Sequence, residues 1–230
     1  GPCIAGPASV TCSCLGRTPL GCVYTPDGRL SEEYLGMDPA LSYPIFECNS
    51  ECACPPSCMN RVVQKGVNIA MEAFPTQDKG LGVRTLEPVP KGHFVCCYLG
   101  EVIGEEEYSR RRAGDCSGRS STYVVTEHCK DATYRTIVDP DRFGNVARFF
   151  NHSCDPNLVV TVVRVDSATV PYAAFFASCD IPSGAALTFR YSGPDCRQHD
   201  AIPCNCGART CEGFVPYALQ HPLDPQPTPP

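Results

Sequence analysis

No stretch of this 230-residue sequence reaches the run of about eighteen apolar residues that a membrane-spanning helix needs, and a spanning segment is not expected. Excess positive charge is also missing. Nineteen Lys and Arg face 25 Asp and Glu, a formal net charge of −6, whereas a dedicated nucleic-acid binder needs a clustered basic excess to neutralise phosphates. Sequence-specific nucleic-acid binding is therefore not expected. An acidic surface suits a basic partner instead, such as a peptide rich in Lys and Arg. The N-terminus shows no apolar run of the signal-peptide type, no internal repeat is visible, and the basic run Arg110-Arg111-Arg112 is short.

Cysteine is abundant: the chain has eighteen. That density fits either a disulfide-stapled secreted protein, which would hold no zinc and few free thiols, or a metal protein; spacing separates the two. Cys48-x3-Cys52-x-Cys54-x3-Cys58 packs four thiols into eleven residues, too tightly for several independent bridges and well suited to clustering around metal. Upstream lie Cys3, Cys12, Cys14 and Cys22, with few long apolar runs between them. A segment of that kind cannot build a hydrophobic core, so metal must supply its stability. With Cys22 set aside, seven thiols remain, and one bridging thiolate lets them fill two tetrahedral Zn²⁺ sites. Near the other end, Cys204-x-Cys206-x4-Cys211 offers three thiols and needs a fourth ligand, for which Cys154 is a natural donor. Zinc held by these four would tie the C-terminal segment to the region around residue 154.

Between the cysteine clusters the pattern is mainly β. His93 to Ile103 has the composition of a buried strand, and Thr122 to Glu127, Arg135 to Asp139, Leu158 to Val165, Tyr172 to Ser178 and Ala186 to Tyr191 are further short β-rich runs. Turn chemistry separates them at Asp139-Pro140, Asp155-Pro156, Pro171 and Pro182-Ser183-Gly184. Glu105 to Arg112 is expected to be a short helix with a solvated charged face, its acids in the first turn and arginines in the last. Asp195 to Pro203 has the character of a loop. Gly80-Leu81-Gly82 forms either a plain turn or a close backbone approach to a ligand. Arg148 to Leu158 reads Arg-Phe-Phe-Asn-His-Ser-Cys-Asp-Pro-Asn-Leu, in which an Asn-His pair offers donors and acceptors to a polar ligand and a thiol follows two residues on.

Several motifs occur in a fixed order: Phe46-Glu47-Cys48-Asn49, then Asn60-Arg61-Val62-Val63-Gln64 after Cys58, Lys79-Gly80-Leu81-Gly82-Val83-Arg84, and Tyr98-Leu99-Gly100-Glu101. Arg148 to Cys154, Phe189-Arg190-Tyr191 and Cys204-Asn205-Cys206-Gly207 with Cys211 follow. Together they resemble the SET-domain protein lysine methyltransferases, in the subgroup with a cysteine-rich pre-SET module and a post-SET zinc motif. The resemblance implies a mainly β SET-domain fold, a β-clip of small curved sheets with a pseudoknot, flanked by zinc-cysteine modules. The implied divisions are a pre-SET module over 1–62, a SET domain over 63–193, a post-SET motif over 194–216 and a Pro-rich, disordered tail over 217–230.

Residue by residue, the resemblance implies that Lys79, Gly80, Leu81, Tyr123, Arg148, Asn151 and His152 hold S-adenosylmethionine, with Phe214 covering the adenine. It makes Tyr191 the catalytic tyrosine, Tyr98 a wall of the channel that admits the substrate lysine, and Phe189 the residue that sets how many methyls fit. Phe leaves out a hydroxyl and its bound water, so di- or trimethylation is expected. A lysine must lose its proton before it attacks the sulfonium methyl, and a narrow apolar channel favours the neutral amine without a carboxylate base. The implied metal ligands are Cys3, Cys12, Cys14, Cys48, Cys52, Cys54 and Cys58 for two or three pre-SET Zn²⁺ ions, and Cys154, Cys204, Cys206 and Cys211 for one post-SET ion. Cys22, Cys96, Cys97, Cys116, Cys129, Cys179 and Cys196 are left as free thiols. The implied partner is a histone H3 tail peptide in chromatin, modified at lysine 4, 9 or 36, and the implied location is the nucleus and chromosome.

Four places depart from the family pattern. Leu81 replaces the usual Trp in a chain that has no tryptophan, Cys97 replaces an acid, Ala185-Ala186 replace paired acids, and Arg190 replaces the Asp of Phe-Asp-Tyr. The first cysteine segment also has Ala5 where a further thiol might stand. A catalytically weak or inactive SET-fold chromatin-binding module is the alternative these departures raise.

Overall fold

The computed structural model describes residues 13–38, 42–114, 121–129, 132–167, 169–191 and 202–216. Cys3, Cys12, Cys116 and Cys196, most of the loop expected at 195–203, and the tail from 217 lie outside these residues.

Short apolar runs cut by turn residues give short strands. In chain order they are α1 (Glu32–Leu35), β1 (Ile45–Phe46), β2 (Met71–Pro75), β3 (Leu81–Thr85), β4 (Phe94–Tyr98), β5 (Glu101–Ile103), α2 (Glu105–Gly114), β6 (Tyr123–Cys129) and β7 (Ala132–Asp139). After them come β8 (Asn151–His152), β9 (Leu158–Arg164), β10 (Tyr172–Ala177), β11 (Thr188–Phe189), β12 (Ile202–Pro203) and β13 (Phe214–Val215). They assemble into small sheets: β1-β9-β10-β4, β5-β7-β6, and the pairs β2-β3, β8-β11 and β12-β13. The mainly β expectation holds.

Strand β10, Tyr-Ala-Ala-Phe-Phe-Ala, is buried throughout after Tyr172 because both faces of its sheet are covered. Successive side chains point to opposite faces. Phe175 therefore enters a core with Val83, Tyr98, Phe150, Leu187 and Phe189, while Phe176 enters a second core with Val23, Tyr24, Ile45 and Phe94. That second core is where the N-terminal segment docks on the central sheet, and β1 extends the sheet by pairing in parallel with β9.

Glu47 fixes the docking. Its carboxylate is 1% exposed and accepts hydrogen bonds from the Tyr24 hydroxyl at 2.9 Å, the Val62 amide at 2.9 Å, the Val63 amide at 2.7 Å and the Gln64 side chain at 2.9 Å. A carboxylate so deep in the protein persists only with this many donors. Burial, and then the charge of Glu47, push the Tyr24 phenol well above its usual range.

Three expected elements end differently. The strand expected over 93–103 breaks after Tyr98, because Gly100 lies so close to Asp139 that a Cβ there would sit 2.5 Å from the Asp139 carbonyl oxygen; β5 then joins a different sheet. The run expected over 186–191 pairs only at Thr188 and Phe189. Its flank is held by Asn157, whose side-chain amide donates to the Ala186 carbonyl and whose oxygen accepts from the Thr188 amide. Ile202–Pro203, expected in a loop, pairs with β13. Helix α2 forms where expected, but Arg111 does not lie on a solvated face: it contacts Glu101 at 2.8 Å, Glu107 at 2.6 Å and the buried Asp139 at 2.7 Å, fastening the helix to β5 and β7.

Glu47→Ala strips the acceptor from three backbone amides, a phenol and a carboxamide at once. The expected loss is about 3–5 kcal/mol of stability, read as a lower urea midpoint at saturating zinc, with the isosteric Glu47→Gln falling between parent and alanine.

Candidate cofactor pocket and metal centres

A cavity of about 470 Å³ opens between the β2–β3 turn, Asn151, β11 and the C-terminal cysteine loop, and Phe74, Thr76, Lys79, Gly82, Asn151 and Asn205 are among its lining residues. The turn is tight because Gly80 takes a φ of 70°, open to glycine and strained for other residues. Asn151 closes one wall by donating from Nδ2 to the Leu81 carbonyl at 3.0 Å. Gly82 allows this approach: a Cβ there would meet Thr76 Cγ2 at 2.9 Å, Asn151 Nδ2 at 3.1 Å and Phe74 Cε1 at 3.3 Å. Lys79 reaches across to the Asn205 carbonyl at 3.3 Å.

Next to this cavity in the chain stands an aromatic cluster. Phe189 is 4% exposed, with its ring centroid 4.9 Å from Phe175, 4.9 Å from Tyr191 and 6.2 Å from Tyr123. Tyr98 packs on Tyr123 at 5.2 Å and donates its hydroxyl to the Ser121 carbonyl. Tyr191 donates its hydroxyl to the Phe150 carbonyl at 2.9 Å. Burial, and then the nearby Tyr191, raise the Tyr98 phenol far above its normal range, and burial pushes Tyr123 up to about 12. Both phenols are neutral at physiological pH. A neutral phenol can donate a hydrogen bond, as Tyr98 does, and is no base.

His152 links the pocket to the C-terminal cysteines. The ring is 4% exposed; Nδ1 accepts from the Tyr191 amide at 3.3 Å, and Nε2 lies 3.4 Å from Cys154 Sγ. Burial lowers its pKa to about 4, so the imidazole is neutral. With Nδ1 accepting, the proton belongs on Nε2, facing the sulfur.

The sulfurs of Cys154, Cys204, Cys206 and Cys211 all lie within 4.8 Å of one another, and Cys154 and Cys204 are 3.9 Å apart. Zn–S bonds of about 2.3 Å place tetrahedral ligands about 3.8 Å apart. The four thiols fit a closed zinc site. In the N-terminal segment, Cys14, Cys48 and Cys52 form one triad and Cys48, Cys54 and Cys58 another. Cys48 belongs to both, the position of a bridging thiolate. Donors point at these sulfurs: Asn60 Nδ2 to Cys48 at 3.5 Å, Arg61 to Cys54 at 3.5 Å and the Asn49 amide to Cys52 at 3.3 Å. Such donors suit thiolate ligands. Cys96 and Cys97 stand apart as buried thiols, Cys97 pushed up to about 12 by burial, and Cys179 is exposed.

Of the residues expected at the cofactor, Lys79 and Asn151 line the cavity, and Gly80 shapes the turn beside it. Leu81 contributes its carbonyl, its side chain being 44% exposed. Tyr123 joins the aromatic cluster. Arg148 turns away from the cavity, donating to the Pro140 carbonyl at 2.8 Å and reaching Asp141 at 3.3 Å. Phe214 pairs with Pro203 across β12–β13. Phe74, Phe175 and Asn157 were not singled out in the sequence, and Asn205 entered only as part of the motif from Cys204 to Gly207. Phe74 had one available signal, since a β2–β3 hairpin register sets it opposite Gly82.

The SET domain family matches residues 80–192, and with the fold and the cysteine sites described above this makes the chain a member of the SET-domain family of histone-lysine N-methyltransferases. It is 41% identical, over 94% of its own length and 71% of the relative's, to the histone-lysine N-methyltransferase SETMAR of Mus musculus. Its fold is similar to the crystal structure of the methyltransferase domain of human SETMAR, with a TM-score of 0.78 and 39% identity over 94% of this chain and 78% of that one. It is also similar to Arabidopsis thaliana SUVH6 in complex with SAM, with a TM-score of 0.75 and 30% identity over 91% of this chain and 44% of that one.

Two outcomes are expected. Gly82→Ala pushes Asn151 and Phe74 off the cavity wall and weakens ligand binding there by about tenfold, read by calorimetry, at a stability cost of about 1–3 kcal/mol. Cys206→Ser lowers the zinc released on denaturation by one equivalent per chain.

Proposed function

We propose that the chain transfers methyl groups from S-adenosylmethionine to a lysine of the histone H3 tail and leaves it di- or trimethylated. The observation that carries this reading is that one short segment supplies a cavity wall at Asn151 and, at His152, an imidazole that faces the Cys154 sulfur and accepts the amide of Tyr191. S-adenosylmethionine, when bound, supplies an electrophilic methyl on a sulfonium. Lys79, Gly80, Leu81, Asn151 and His152 would hold it through side-chain and backbone groups, with Tyr123 and Phe214 completing the enclosure, while the Arg148 guanidinium stays on Pro140 and Asp141 and braces the turn behind Asn151. SUVH6, which shares the fold, binds SAM.

Tyr98, Tyr123, Phe189 and Tyr191 would form the lysine channel. Neutral phenols and aromatic rings disfavour an ammonium stripped of water, so the amine enters ready to attack. The Tyr191 hydroxyl and the carbonyls beside it then align the amine with the methyl. Phe189 brings no hydroxyl to hold a water there, which leaves room for methyl groups on the product. Cys3 and Cys12 would complete the two N-terminal zinc triads. The proposed divisions are 1–62, 63–193, 194–216 and the tail 217–230, and the proposed setting is chromatin in the nucleus. Which H3 lysine is modified depends on the residues that flank it in the groove; lysines 4, 9 and 36 are the candidates.

The exposed Leu81 side chain, together with Ala185 and Ala186, supports a second reading, a SET fold that binds chromatin partners without catalysis. Titration of S-adenosylmethionine into zinc-loaded protein separates the two. Micromolar binding with methyl transfer to an H3 peptide is the expected result; a folded, zinc-loaded chain that binds none overturns the enzymatic reading. Tyr191→Phe is expected to lower kcat by about a hundredfold, and equal activity would remove Tyr191 from its role. Phe189→Tyr is expected to shift the product, read by mass spectrometry, towards monomethyl-lysine.

A further inference from the structure

We infer that Arg190 and Glu212 form a positioning clamp that sets how tightly the C-terminal cysteine loop closes on the cofactor pocket. This rests on the cofactor reading above for its functional consequence and on geometry alone for its existence.

Arg190 stands one residue before Tyr191, and Glu212 one residue after Cys211. The guanidinium reaches both carboxylate oxygens, at 2.9 and 2.8 Å. Glu212 also donates its backbone amide to Cys154 Sγ at 3.4 Å. Cys154 meets His152 Nε2, and His152 Nδ1 receives the Tyr191 amide. The contacts close a ring: Arg190 to Tyr191 along the chain, to His152, to Cys154, to Glu212, and back to Arg190. Of its links, the Arg190–Glu212 pair is the one made by opposite charges.

The Asp usual at position 190 would repel Glu212. In this chain the sign is reversed and the neighbouring loop supplies the matching acid, so the departure becomes an attractive contact. The same loop carries Asn205, which lines the cavity and receives Lys79 on its carbonyl. A loop held by the clamp keeps Asn205 on the cavity wall; a released loop opens it. The Arg190 side chain is not among the residues that line the cavity, so the clamp acts on the cavity through the loop, and its effect is expected on binding more than on the transfer step. Side-chain exposures of 26% and 40% place the pair at the surface, where one chelated pair is worth about a fivefold change in affinity and charge reversal somewhat more.

Arg190→Glu, Arg190→Gln, Glu212→Arg and the double swap R190E/E212R test the clamp in the full, zinc-loaded chain. Three readouts are compared: the Kd for S-adenosylmethionine, KM against kcat, and the rate at which a chromophoric chelator withdraws zinc. Arg190→Glu is expected to raise Kd and KM by about five- to tenfold while kcat changes by less than about twofold, and to speed release of one zinc equivalent. Arg190→Gln is expected to fall between, and the double swap to return all three towards the parent values. Unchanged single variants overturn the clamp, as does a double swap no better than the sum of the singles. If the parent chain binds no S-adenosylmethionine, the methyl-transfer reading fails, and the zinc-release series still decides the clamp.

Discussion

The candidate site depends on four sulfur atoms drawn together from stretches of chain 50 residues apart. Cys154 follows the Asn151-His152 strand, and Cys204, Cys206 and Cys211 arrive from the C-terminus. The strands they brace are minimal: β8 and β11 pair over two residues each, and so do β12 and β13. Ladders this short have no independent stability in water. A metal held by four thiolates contributes binding free energy that acts as folding free energy. Bound here, it would fix a site that hydrogen-bonded sheet alone would leave loose.

The N-terminal end faces a similar problem and meets it with metal ligands and a buried charge. The segment around Cys48, Cys54 and Cys58 has little apolar material of its own, and its sulfurs are surrounded by Asn60, Arg61 and the Asn49 amide. Glu47, next to Cys48, turns inward and collects donors from Tyr24 and from Val62 to Gln64. Cysteine cluster and carboxylate therefore share one stretch of chain. Strand β1 passes through it and extends the sheet whose opposite face carries Phe175, in contact with Phe189. One sheet thus links the N-terminal cysteine cluster to the aromatic cluster around Phe189.

Much of this was legible in the sequence because it is local. Cysteine spacing identified both clusters, a bridging thiolate was expected and Cys48 occupies that position, and the dipole-matched charges of α2 marked a real helix. Cys154 was picked out as the fourth ligand by counting coordination positions. What stayed hidden is long-range. Glu47 reads as one more surface acid until the Val62–Gln64 amides fold over it. The 93–103 run reads as one strand because the close approach of Gly100 to Asp139 leaves no trace in composition. Arg148 lies in the right motif, yet its guanidinium is drawn to Pro140 and Asp141, a choice made by the fold of a neighbouring turn. Position 81 carries Leu where the family pattern has Trp, and the structure places Phe74 beside the cavity, across the hairpin from Gly82, with the Arg84 guanidinium 5.3 Å from its ring centroid.

Charge placement around the aromatic channel bears on why the proposed reaction can proceed without a carboxylate base. The phenols of Tyr98 and Tyr123 are raised by burial, so through the neutral range they add no charge of either sign to the channel. A lysine ammonium entering such a space loses hydration without gaining an anion, and its pKa falls. A carboxylate beside the amine would do the reverse, holding it protonated as an ion pair and blocking the lone pair that must attack. The acids replaced at positions 97, 185 and 186 are accordingly not missing bases. Cys97 packs in the second core and Ala186 lines the cavity beside Asn151, so the residues at these positions leave the surroundings of the amine to the aromatic cluster itself.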